Sequence, residues 1–154
     1  MSTTPPVDRD LLDVIVIGAG QSGLALSYYL TRRHADVLIL DAGPEIGHVW
    51  RSRWDSLRLF TPAQYDALPG MAFPAPAGTY PAKDAVADYL RAYAEQFQLP
   101  VRLYSPVTRV HREDGCFAVS TPTGTRGCRV RKAARTARQS AGVTPWRSAR
   151  SAAA

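Results

Sequence analysis

Four consecutive β-branched residues, Val14 to Ile17, open the patterned part of the chain. An apolar run without polar alternation reads as a strand covered on both faces, the habit of a parallel sheet. Three spaced glycines follow, and then "SGLALSYYLTRRH" at residues 22–34 places Leu24, Ser27, Tyr28 and Leu30 within helical reach of one another. Its basic end suits a helix C-terminus. Residues 35–40, "ADVLIL", are again short, apolar and strand-prone, and they end at Asp41. Strand, glycine turn, helix and strand together fill about 28 residues, the size of one βαβ unit.

From residue 42 to 81 the periodicity disappears. Prolines stand at 44, 62, 69, 74, 76 and 81, with aromatic residues scattered between them. Such a stretch is expected to wrap a ligand or to act as a functional cover, because long irregular segments are otherwise uncommon in compact domains. Its Trp50, Trp54, Phe60, Tyr65 and Phe73 supply apolar surface for packing. Residues 83–97 restore a helical period, with Val86, Tyr89, Leu90, Tyr93 and Phe97 on one stripe and Asp84 near the start. Pro100 closes that helix, and "VRLY" at 101–104 predicts the next parallel strand. "VTRVHR" and "CFAVST", joined by a turn at 113–115, predict an antiparallel hairpin.

After residue 125 no strand alternation remains. Residues 1–125 hold 11 basic and 13 acidic residues, whereas residues 126–154 hold 8 basic and none acidic, so the net charge of +6 is an average over two unlike parts. The expected organisation is therefore a flexible N-terminus over 1–11, a Rossmann-like domain over 12–125, which the resemblance given below implies is incomplete, and a basic disordered tail over 126–154. The fold class expected is α/β: a parallel sheet, a glycine-rich βαβ unit and a β-hairpin. No stretch is long and apolar enough for a membrane-spanning helix, and the N-terminus lacks the charged-then-apolar pattern of a secretory signal, which predicts a cytoplasmic protein with no membrane partner. Cys116 and Cys128 have no metal-ligand spacing with one another or with His34, His48 and His111, and no metal is expected.

The glycines carry the chemistry. In "GAGQSG", residues 18–23, Gly18 permits a sharp turn out of the strand and Gly20 lets the main chain approach a pyrophosphate that a Cβ would repel. Gly23 permits close packing of helix on strand. The phosphates then lie over the helix N-terminus, where unpaired N–H groups and the helix dipole attract negative charge. Asp41, at the tip of the second strand, is placed to accept hydrogen bonds from ribose hydroxyls. FAD and NAD share the adenosine and pyrophosphate that this unit holds. The aromatic, proline-rich segment after it favours FAD, since a flavin ring needs a cover.

The strings "DVIVIGAGQSGLALSYYL", "GHVWRSRWDSLRL" followed by "TP", "LPG" and "FP", and "YPAKDAVADYLRAYAEQFQLPVRLYSPVTRVHR" resemble the N-terminal half of the FAD-binding domain of flavin-containing monooxygenase-like oxidoreductases. The resemblance implies that Gly18, Ala19, Gly20, Gln21, Ser22 and Gly23 hold the FAD pyrophosphate and Asp41 its ribose. It places Gly47 to Trp50 in the family's Gly-Gly-x-Trp turn near the flavin, and the backbone of Val107 against adenine. His48 stands where that turn has its second glycine, and Asp41 replaces the more usual glutamate. In the family, NADPH reduces the flavin, and the reduced flavin activates oxygen to oxygenate an amine, sulfide, ketone or similar substrate. Trp50 and Trp54 suit core packing and flavin contact equally, and Arg51, Arg53 and Arg58 suit solvated surface better than phosphate.

The family continues from the hairpin into a strand ending in Ala-Thr-Gly and then a second glycine fingerprint for NADPH. Neither follows here, so the NADPH site is expected to be absent and the chain to be truncated or frame-shifted after about residue 125. The missing strand belongs beside Val14 to Ile17, and its loss is expected to make the protein marginally stable or prone to aggregate. The alternatives are a non-catalytic nucleotide-binding module or an NAD(P)-binding fragment. Nucleic-acid association through the basic tail is the least favoured reading.

Overall fold

The lack of alternation in the first apolar run has a direct cause in the computed structural model, which describes residues 8–113 and 115–128. Strand β1 (Asp8–Leu12) leads into β2 (Val14–Ile17), α1 (Gln21–Thr31) and β3 (Val37–Leu40). Val14 and Val16 of β2, with Val37 and Ile39 of β3, belong to one buried cluster, while Ile15 and Leu40 belong to another. Both faces of the sheet are therefore covered, and every position along these strands is required to be apolar. Each fully buried aliphatic side chain contributes about 1.5–3 kcal/mol.

The chain continues through α2 (His48–Arg51), a 3-10 turn (Ala63–Tyr65), α3 (Lys83–Gln96) and β4 (Val101–Arg102). Strands β2, β3 and β4 form a parallel sheet in that order, with Val14 opposite Val37 and Ile39 opposite Val101. Helices α1 and α3 supply Leu24, Val86, Tyr89, Leu90 and Tyr93 to the larger cluster. The basic residues foreseen at the end of α1 fall just past it, with Arg32 as the C-cap and its guanidinium 5.3 Å from the centre of the Tyr28 ring. Strand β4 is shorter than the four residues expected, because its partner β3 ends at Leu40 and the chain turns through Tyr104 at φ 51°.

Strands β5 (Arg109–Glu113) and β6 (Cys116–Thr121) form the expected antiparallel hairpin. Two expectations at its margins are corrected. Residues 126–128 are not tail: β7 (Gly124–Cys128) pairs antiparallel with β6, and Cys128 is wholly buried. Residues 8–11 are not a loose terminus, because β1 pairs parallel with β7. Both strands are poor in strand-forming residues, and cross-strand pairing and burial override that weak propensity. The second sheet runs β1-β7-β6-β5 and covers the face of β2 and β3 that carries Ile15 and Leu40. The order of layers is helices, parallel sheet, mixed sheet. The predicted character of residues 129–154 lies outside the described residues. Among the described residues, no helix is long and apolar enough to cross a membrane.

The segment 42–81 is irregular yet anchored. Leu59 N–H donates to Pro81 O and Lys83 N–H to Leu57 O. Two tyrosines of α3 hold its far end: Tyr93 Oη donates to Pro69 O at 2.7 Å, while Tyr89 Oη donates to Met71 O and accepts from Leu68 N–H. Gly70, at φ 84°, lies under the Tyr28 hydroxyl, where an added Cβ would come within 2.6 Å of the oxygen.

Candidate functional site

Where β2 and β3 end, the loop between β2 and α1 meets the turn at α2 across a cleft of about 290 Å³. One wall is Ala19, Gly20 and Gln21, with Asp41 at its end, and the other is Gly47, His48, Val49, Trp50 and Arg53; Glu45 and Leu90 complete the lining. Two apolar strands that stop side by side, each followed by a turn, create such a crevice at the carboxyl edge of a parallel sheet.

Three glycines of the loop have three separate reasons to be glycine. Gly18 takes φ 98°, a left-handed conformation that lets its N–H return to Leu40 O at 2.8 Å. At Gly23 an added Cβ would lie 2.0 Å from the carbonyl oxygen of Gly18, so the first turn of α1 rests on the loop itself. At Gly20 an added Cβ would meet no protein atom within 4 Å. That methyl group would instead project into open space beside the helix start. Gly20 is the N-cap of α1 with no side-chain cap, and no acidic residue stands in the first turn. The helix thus begins with N–H groups that no side chain of its own first turn neutralises.

Asp41 locks the two loops together. Its Oδ2 accepts from Ala19 N–H and its Oδ1 from Gly43 N–H, both at 2.7 Å. Its main chain is tied to the neighbouring strand and loop as well, through Arg102 O and Ser105 N–H. Each carboxylate oxygen retains a lone pair for a further donor.

On the opposite wall, Gly47 has φ 84° and sits flush on α3, where an added Cβ would be 2.7 Å from Ala87 Cα. His48 is not among the non-glycine residues with positive φ, and it begins α2. The turn therefore requires glycine at the first of its two positions only, and histidine at the second takes no left-handed conformation. Trp50 packs against the larger buried cluster and also lines the cleft. Trp54 is largely exposed. Arg53 lines the cleft, whereas Arg58 donates to Tyr80 O. The hydrogen bond to Asp88 raises the pKa of Arg51, helped by the charges of Asp88, Glu45 and Asp84 and opposed by desolvation.

Of the residues foreseen from sequence, Ala19, Gly20, Gln21, Asp41, Gly47 and Trp50 come together in the cleft. Gly18 and Gly23 shape the loop from beneath, and Ser22 opens α1 next to it. Val107 lies outside the cleft lining, packed against the cluster of Ile15, Leu40, Val119 and Cys128. Glu45 and Leu90 are not foreseen from sequence, whereas Val49 falls within the turn from Gly47 to Trp50. Leu90 falls on the apolar stripe of α3 and reads as core, which it also is; Glu45 carries no local signal. Among the described residues, no group of three or more His, Cys, Asp or Glu side chains could hold a metal ion.

Residues 15–130 match the family model described as pyridine nucleotide-disulphide oxidoreductase. An oxidoreductase designated CzcO-like from Geobacillus kaustophilus is 46% identical over 116 residues, which are 75% of this chain and 33% of that protein. The chain thus spans about a third of the length of that relative. A flavin-containing monooxygenase from Stenotrophomonas maltophilia superposes with a TM-score of 0.72 at 39% identity, over 78% of this chain and 37% of that one. The fold is also shared with OTEMO, whose structure is a complex with FAD and NADP, at a TM-score of 0.67 and 24% identity over 76% of this chain and 24% of that one.

Proposed function

The chain belongs to the pyridine nucleotide-disulphide oxidoreductase family and corresponds to the N-terminal portion of flavin monooxygenase-like and CzcO-like FAD-dependent oxidoreductases, and from that premise we propose that its cleft is the seat of FAD. The observation that carries this reading is the contrast between Gly23, where a Cβ is blocked by Gly18 O, and Gly20, where it would enter open space. Packing explains the first glycine. Packing does not explain the second, and a phosphate approaching the main chain supplies the reason.

In this reading the pyrophosphate lies over the N–H groups that open α1, and the bare helix start supplies the positive potential it needs. Asp41, already oriented by Ala19 and Gly43, turns its remaining lone pairs to the ribose hydroxyls. Gly47 brings the main chain of the opposite turn close, and Trp50 gives the isoalloxazine side of the cofactor an apolar neighbour. When bound, the flavin supplies redox chemistry, taking hydride from NADPH and activating oxygen in the full-length enzymes. This portion binds and orients; it is assigned no acid, base or substrate contact, and the NADPH site belongs to another part of such enzymes.

The test is a titration of the purified chain with FAD, followed by quenching of flavin fluorescence, with NAD and NADP as competitors. Saturable FAD binding that neither nicotinamide dinucleotide displaces at equal concentration is expected. Gly20→Val is expected to abolish that binding while leaving the far-ultraviolet circular dichroism unchanged. Preference for NAD or NADP, or FAD binding unaffected by Gly20→Val, would overturn the reading.

A further inference from the structure

The wall of the cleft opposite the glycine loop is a helix of four residues, His48–Arg51, with no buried residue and no side-chain N-cap. A single turn of that kind does not hold itself, because helix nucleation is unfavourable and its gain comes only with length or packing. Trp50 gives it apolar packing against the larger cluster, and its polar contacts converge on Arg51. Its Nε lies 3.2 Å from Glu45 Oε1, its Nη2 2.5 Å from Asp88 Oδ1 and its Nη1 3.8 Å from Asp84 Oδ1. Its carbonyl oxygen accepts from Lys83 Nζ at 3.0 Å, and its N–H donates to Gly47 O.

Asp84 and Asp88 are one helical turn apart on α3, on the side where Ala87 receives Gly47. The turn is therefore pinned at both ends, by a glycine that lets the main chain touch α3 and by a guanidinium that spans three carboxylates. Arg51 does not itself line the cleft; its neighbours Gly47, His48, Val49, Trp50 and Arg53 do. Partly exposed ion pairs of this kind add little to global stability, so the consequence of the cluster is orientation.

We infer that Arg51 is a positioning residue for cofactor binding: by tying α2 to α3 it sets the wall that faces the glycine loop, without touching the ligand. The inference rests on the assignment of the cleft to FAD. A planar guanidinium is required, since a lysine ammonium is a point charge that cannot address Glu45 and the two aspartates together.

The experiment uses the whole chain as wild type, Arg51→Met, Arg51→Lys and Asp88→Asn, each titrated with FAD and each melted without it. Arg51→Met is expected to weaken FAD binding at least tenfold, with an apo melting temperature close to that of wild type. Arg51→Lys should recover part of the affinity, and the visible absorbance of bound flavin should differ between the two as Trp50 shifts. Equal affinity and equal spectra in wild type and Arg51→Met would overturn the inference. If Arg51→Met does not fold, Asp88→Asn decides the matter, a loss of threefold or more supporting the inference and an unchanged affinity refuting it. A wild-type chain that takes up no FAD removes the cofactor reading, and this inference with it; a wild-type chain that binds normally beside unaffected variants removes only the inference.

Discussion

One methyl group separates the roles within the glycine loop. At Gly23 it would have to fit 2.0 Å from a main-chain oxygen, and main chain yields far less readily than a flexible side chain. Gly23→Ala is therefore expected to destabilise the protein by about 3 kcal/mol or more, the upper end of overpacking effects, read as the loss of its denaturation midpoint. At Gly20 the same group meets only solvent, and Gly20→Ala is expected to shift apo stability by less than about 1 kcal/mol, the scale of an N-cap change, while lowering FAD affinity. Equal destabilisation by both would show that Gly20 is a structural glycine only. These positions were legible because strand, spacing and helix all occur within one short segment. The Arg51 cluster was not, since its strongest partner Asp88 is 37 residues away and nothing local marks a pair separated by an irregular segment.

At the scale of elements, α3 shows how far a periodic pattern reaches. Its stripe identifies Tyr89, Leu90 and Tyr93 as core, and they are. It does not show that two of these side chains use their hydroxyls to hold the main chain at Leu68, Pro69 and Met71, because those partners lie in a segment without a period. Burial pushes the Tyr93 phenol well above its ordinary value, with Tyr89, Tyr28 and Tyr29 adding to the effect, and burial also raises Tyr89 against the hydrogen bond from Leu68. Above pH about 10 the unfolded chain releases tyrosine protons that the folded chain retains, so the native state binds more protons and stability falls as pH rises. The denaturant midpoint is expected to be level from pH 8 to about 10 and to decline beyond it. In Tyr93→Phe the decline should be shallower, and stability at neutral pH should drop by roughly 1–3 kcal/mol, read from a lower midpoint, since Pro69 O is left without its donor. A midpoint with no alkaline slope in wild type would mean that these phenols are hydrated in solution.

At the scale of the molecule, the two sheets meet through a small cluster. Ile15 and Leu40 come from the parallel sheet, and Val119 and Cys128 from the mixed one. The continuous apolar runs at 14–17 and 37–40 imply a cover on this face. The identity of that cover was hidden because β1 and β7 pair Asp8 with Arg126, far apart in sequence and in residues with little strand preference. The two cysteines report on this junction. Cys116 is partly exposed and Cys128 is wholly buried within it. A small aromatic disulfide reagent is expected to modify Cys116 at once and Cys128 only when the mixed sheet opens. An opening free energy of about 3 kcal/mol separates the two rates by on the order of 10²-fold. Val119→Ala leaves a cavity beside Cys128 and lowers that opening cost by about 1–3 kcal/mol, which should raise the slow rate about fivefold or more and leave the fast one unchanged. Two thiols reacting together in the wild-type chain would mean that the sheet carrying β7 does not rest on Ile15 and Leu40, and that the parallel sheet must keep its second face covered by other means.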